Sequence, residues 1–259
     1  LDVTAGDWNN SGTARAADSL TAALSGKLDN SGTLRSAQGL DLSAAEIASS
    51  GILAADRLSL RAPQLNNSGI LQGKNALTLN TDQLNNLRSG ELLSGKGLSL
   101  DLDRLQNDGL LHVGGTFDLK ARELTNGGSL QAGRLVLDID GTLSNNAGAE
   151  LLATEDATLK AKQLDNAGTL AATSLDLSGD TLTNSGTLQG DNALSATAGD
   201  ITNQADGKIV SGGKMTVAGG DVSNDGQWRA QQLELNADSL TNRYQLDKEH
   251  AERVRDTAI

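Results

Sequence analysis

Two acid pairs, Asp101-Leu-Asp103 and Asp138-Ile-Asp140, are the first residues to test for chemistry. Carboxylates one residue apart leave a strand on the same side, where they could hold Ca²⁺ or serve a polysaccharide as acid and base. Neither pair continues as a calcium loop: Arg104 follows the first, and only Gly141 follows the second. The competing reading, outward acids that keep a surface solvated, fits them better. His112 and His250 lie too far apart in the repeat frame to share a metal, and the chain has no cysteine to join them. No serine sits in Gly-x-Ser-x-Gly. Gly212-Gly213-Lys214 and Gly219-Gly220-Asp221 match neither phosphate-loop nor calcium-repeat spacing. Trp8, Phe117, Trp228 and Tyr244 fall in different copies of a repeat, which suits core or end-cap positions better than a sugar-stacking platform. No cofactor is called for.

The residue type whose spacing is most regular is asparagine. Thirteen apolar anchors recur along the chain: Trp8, Leu28, Ile47, Leu65, Leu84, Leu105, Leu124, Leu143, Leu164, Leu182, Ile201, Val222 and Leu240. Twelve are followed two positions later by Asn, namely Asn10, Asn30, Asn67, Asn86, Asn107, Asn126, Asn145, Asn166, Asn184, Asn203, Asn224 and Asn242; Ser49 takes the remaining place. The intervals run 20, 19, 18, 19, 21, 19, 19, 21, 18, 19, 21 and 18 residues. So short a period, repeated so often, marks a solenoid.

Residues i and i+2 of a strand share a side, so an inward Leu28 implies an inward Asn30, with Asp29 facing water. Stacked copies would then place the asparagines above one another. A buried amide is costly unless satisfied, and amides in register can bond along the axis. The alternative is that each Asn caps its own turn and faces solvent. Asn also tolerates the left-handed conformation a sharp corner can need, and the following Gly tolerates it better.

Between anchors the pattern is that of short strands. Leu77-Thr-Leu79, Leu135-Val-Leu137 and Leu175-Asp-Leu177 alternate as a strand with one buried face does. Helical stripes are missing from the repeat region, and the 30 glycines gather with Asn and Ser at corners. The expected fold is all-β, a β-solenoid of about twelve coils of ~19 residues, with three short strands per coil. Insertions fall in the corner after the anchor: two residues at Leu84–Gly90 and Ile201–Gly207, one at Leu143–Gly148. The interval from Trp8 to Leu28 must hold its extra residue elsewhere.

Composition agrees with a narrow interior. Hydrophobic residues make up 37% and aromatics 2%, so the core is aliphatic. A net charge of −12 argues against a nucleic-acid partner, which wants a basic stripe. The absence of cysteine excludes a disulfide framework and thiolate metal sites. No apolar run is long enough to cross a bilayer as a helix. The chain opens mid-pattern at Leu1-Asp-Val3, so a targeting segment is expected upstream.

Leu28-Asp-Asn-Ser-Gly-Thr-Leu34, Leu164-Asp-Asn-Ala-Gly-Thr-Leu170 and Leu182-Thr-Asn-Ser-Gly-Thr-Leu188 resemble the filamentous haemagglutinin repeat, and the likeness extends over residues 1–242. The resemblance implies a right-handed parallel β-helix in a two-partner secretion exoprotein, an adhesin or a contact-dependent growth inhibition toxin. It further implies export through an outer-membrane transporter and display on a Gram-negative cell. On this reading the chain is a monomeric, non-enzymatic shaft that extends a receptor-binding or toxin module toward another cell. The alternatives are that the segment is itself adhesive toward a receptor on a neighbouring cell, or that it is a carbohydrate-active β-helix. Residues 243–259 leave the pattern, and three readings stand for them: a cap, the start of another domain, or a disordered boundary.

Overall fold

The computed structural model describes residues 1–243, and every regular element among them is a β-strand. The strands join in a single sheet whose pairings are all parallel. Each coil carries three of them. In the second coil these are Lys27–Asn30, Thr33–Ser36 and Gly39–Ser43, here named the first, second and third faces. Each pairs with its counterpart one coil on: Leu28 with Ile47, Leu34 with Leu53, and Leu40 with Leu58. In later coils the faces fuse into continuous strands such as Leu110–Asn126 and Ser129–Asn145. The chain is thus a parallel β-solenoid of about thirteen turns.

Alternation in sequence becomes alternation in burial. Leu28, Leu34, Leu40 and Leu42 are buried, while Asp29, Arg35 and Asp41 face out. Because register is conserved, inward leucines stack mostly on apolar residues of the next coil and form axial columns. Phe117 is fully buried in the third-face column between Leu98 and Leu135. A lone coil would leave both of its strand edges unpaired, so stability arises from stacking. Small residues line the turn from second to third face. Where that residue is serine, its hydroxyl is satisfied locally: Ser94 and Ser211 donate to the carbonyls of Gly97 and Lys214 at 3.1 and 2.8 Å.

The long coils share one device. Asn67 pairs with Asn86 but Ile70 pairs with Glu91, which places two extra residues in the first corner. The coil at Leu143 does the same, correcting the single inserted residue expected there: Asn126 pairs with Asn145, and Ser129 with Glu150. Ala149 stands where other coils have Gly, its carbonyl accepting from Thr169 N as that of Gly51 does from Ile70 N. All three insertions close with the same hydrogen bond, from an amide to the carbonyl three residues earlier. Gly90 N–H bonds the Leu87 carbonyl at 2.7 Å, Ala149 that of Asn146 at 3.0 Å, and Gly207 that of Gln204 at 2.8 Å. The extra residue of the Trp8 coil lies in the third corner. Ala23 pairs with Ser43 and Lys27 with Glu46, so residues 24–26 span what Ala44-Ala45 spans one coil later.

The corner glycines answer a demand different from the left-handed backbone expected of them. Only Gly148, inside an insertion turn, has a positive φ among the described residues (79°). At Gly32, Gly51 and Gly69 a Cβ would lie 2.0 Å from the carbonyl oxygen of the glycine one coil earlier. Close axial approach of backbone to backbone, not torsion, excludes a side chain there.

Candidate functional site

The inward Asn side chains make one continuous polar feature in an aliphatic interior. The anchor strand turns Leu and Asn to the same side, and Asn30, Asn67, Asn86, Asn107, Asn126, Asn184 and Asn203 have no exposed surface. From Asn67 to Asn242, each Nδ2 donates to the Oδ1 of the Asn one coil further on. Nine such bonds measure 2.7–2.8 Å. The same Nδ2 reaches backbone carbonyls at the corner: Asn126 to Gly128 at 3.2 Å and to Glu150 at 2.9 Å. All donors point toward the carboxyl end, so the amide dipoles add along the axis.

Asn10 and Asn30 form a shorter run that ends at Ser49. Asn10 donates to Asn30 at 2.7 Å, and Asn30 donates to the Ser49 hydroxyl at 3.1 Å. The Oδ1 of Asn67 instead accepts from the backbone N–H of Gly69 at 3.2 Å. At the far end Asn242 is exposed.

The acid pairs lie on the third face and its corner, within a charge lattice. Register places Asp101 beside Lys120, Lys120 beside Asp138, and Asp138 beside Lys160. The corner column alternates as well, through Asp103, Arg122, Asp140, Lys162 and Asp180, each lying between flanking residues that pair. Arg122 grips Asp103 with Nε and Nη2 at 2.7 and 3.2 Å, and Lys160 lies 3.4 Å from Asp138. A third column adds Arg104 to Glu123 at 2.8 Å. The Arg122 hydrogen bond holds the Asp103 carboxyl below its ordinary value, partly opposed by desolvation. A general acid needs the opposite displacement. The basic partners were missed in the linear reading because each stands about nineteen residues from its acid; writing the sequence in the frame of the repeat exposes them.

His112 sits on the outward side of the second face between Leu93 and Gln131. Trp8 heads the anchor column above Leu28, and Trp228 follows Ile209 in the second-face column. Both are half-buried against the core. Tyr244, His250 and the readings for residues 243–259 lie outside the described residues, Arg243 excepted.

A parallel β-solenoid with a polar axis and an ion-paired flank is a repeat-built rod. The haemagglutinin repeat matches residues 1–62, 53–147, 124–184 and 168–243, and the chain belongs to that family. It is a repeat region of the filamentous haemagglutinin type carried by two-partner exoproteins. It is 38% identical over 238 residues to "Toxin CdiA" of Escherichia coli, covering 91% of this chain and 7% of the relative. Identity is 34% over 253 residues to "Deoxyribonuclease CdiA" of Dickeya dadantii, covering 95% and 8%. It is 33% over 208 residues to "16S rRNA endonuclease CdiA" of Enterobacter cloacae, covering 80% and 6%. The chain therefore spans less than a tenth of these curated relatives. No solved structure matches it significantly.

Proposed function

We propose that this chain is a length of rigid shaft in a secreted Gram-negative exoprotein, holding a receptor-binding or toxin module away from the producing cell. The observation that carries this reading is the unbroken axial order. Nine consecutive amide links of nearly equal length, with leucine columns in register beside them, describe a rod that repeats without building a cleft. At ~4.8 Å per coil, thirteen turns reach roughly 60 Å. The nuclease and toxin names of the relatives then refer to a module such a shaft would carry. Export through an outer-membrane transporter suits the fold, since coils can stack one after another as the chain emerges. Absence of catalysis fits Asp103 and Asp138, each ion-paired with a cation, and Asp103 is displaced away from general-acid behaviour.

Binding of the purified, labelled chain to bacterial and host cells tests the proposal. A shaft shows no saturable binding; saturable binding would instead establish the segment as an adhesive surface. Incubation with acidic polysaccharides addresses the third reading, and release of new ends would overturn the non-catalytic assignment.

A further inference from the structure

We propose that the alternating charges of the third face are a register code that stops a coil from stacking on the wrong neighbour as the shaft folds. The problem they solve is intrinsic to a repeat. Every coil offers nearly the same leucines and the same asparagine, so a coil that skipped its neighbour and docked on the one before would satisfy both ladders. Neither column distinguishes adjacent coils. Register errors are weakly opposed wherever pairing surfaces repeat.

The charges do distinguish them. In the outward column the order is Asp101, Lys120, Asp138, Lys160, with consecutive members on paired positions. In native stacking each carboxylate lies beside a cation at the strand spacing of ~4.8 Å. Omit the coil bearing Lys120 and Arg122, and Asp138 and Asp140 come to rest on Asp101 and Asp103. Omit the next, and Lys160 and Lys162 rest on Lys120 and Arg122. Each of these two skips converts two attractive contacts into two repulsive ones. The carboxylates are exposed, so their native pairs add little to final stability. Their effect lies in the contrast between correct and skipped stacking, a form of specificity that needs repulsion in the wrong state.

The experiment uses the full chain, which has no native cysteine. Ser99 and Val136 sit on either side of Asp118 in one outward column, two coils apart. Their Cα atoms are then about 9.6 Å apart, beyond the ~7 Å a disulfide can bridge. A Ser99→Cys/Val136→Cys pair therefore cross-links only when the intervening coil has been skipped. Asp118→Cys/Val136→Cys reports native stacking. Each pair is placed in the original charge pattern and in an Asp101→Lys/Asp103→Lys background, where skipping becomes attractive and native stacking repulsive. After refolding from denaturant at low salt and mild oxidation, the altered background should raise the skipped cross-link several-fold. High salt should erase the difference. Equal yields in both backgrounds at low salt, or a difference indifferent to salt, would overturn the proposal. A block with all nine signs inverted retains the alternation and should refold with the native cross-link; a skipped cross-link there would also reject the idea.

Discussion

Asn30 donates its side-chain amide to the hydroxyl of Ser49 across 3.1 Å, and at that point the axial line of amides is interrupted. Ser49 is almost fully buried in the one anchor strand that lacks Asn, and it pairs with Asn30 on one side and Asn67 on the other. Its hydroxyl is too short to repeat the link by which every later Asn reaches the next. The ladder is thus two runs, Asn10 to Ser49 and Asn67 to Asn242, with no amide link between them.

Restoring the missing member should stabilise the rod. Ser49→Asn places an amide where neighbouring coils already accommodate one, adding hydrogen bonds to Asn67 Oδ1 and the corner carbonyls. The expected gain is about 0.5–1.5 kcal/mol, read as a shift in the urea midpoint. No gain, or a loss, would show that this corner is shaped for serine.

Removing an interior member should cost more than that gain. Asn145→Ala deprives the Asn166 carbonyl of its donor and takes an acceptor from Asn126. The expected loss is about 1–3 kcal/mol for each buried group left unpaired. Asn145→Asp keeps the shape but not the donor. At neutral pH it buries a carboxylate facing the Asn166 oxygen, so its folded pKa rises above the ordinary ~3.9. Its damage should therefore be smallest below that value and grow as pH rises through it. A pH-independent loss would contradict the inward, axial placement of this side chain.

Gly51→Ala and Gly12→Ala separate close approach from torsion. The added methyl at position 51 meets the Gly32 carbonyl at 2.0 Å, whereas nothing lies within 4 Å at Gly12. The first substitution should cost about 1–3 kcal/mol in the manner of an overpacked core, and the second close to nothing. Comparing their thermal midpoints decides the point, and equal effects would refute the steric account.

Asp103 supplies a pH test of the ion-paired flank. Arg122 lowers its folded pKa, so the contribution of the pair is present above the ordinary carboxylate range and disappears as pH falls through the lowered value. Carboxyl NMR titration should place the Asp103 midpoint below that of a free aspartate. Arg122→Gln should bring it back up toward the ordinary value. An unmoved midpoint would mean that the bidentate contact does not persist in solution.

The sequence alone determined the repeat, its anchors and the strand character of each coil, because period-two alternation inside a nineteen-residue frame has few physical realisations. It also announced the long coils at Leu84 and Ile201, whose extra residues fall visibly between Asn and Gly. At Leu143 the Gly was misleading. Gly148 belongs to the inserted turn and Ala149 holds the stacking position, a distinction set by which amide reaches which carbonyl in the next coil. Tertiary structure alone decided the reason for the corner glycines, since a local motif does not reveal that another coil's carbonyl lies where a Cβ would be. It also decided that Asp101, Asp103, Asp138 and Asp140 belong to a lattice with Lys120, Arg122 and Lys160. Neighbours along the chain fix a strand's two sides; only the stacking of coils, shifted by each corner's length, fixes which charge lies above which.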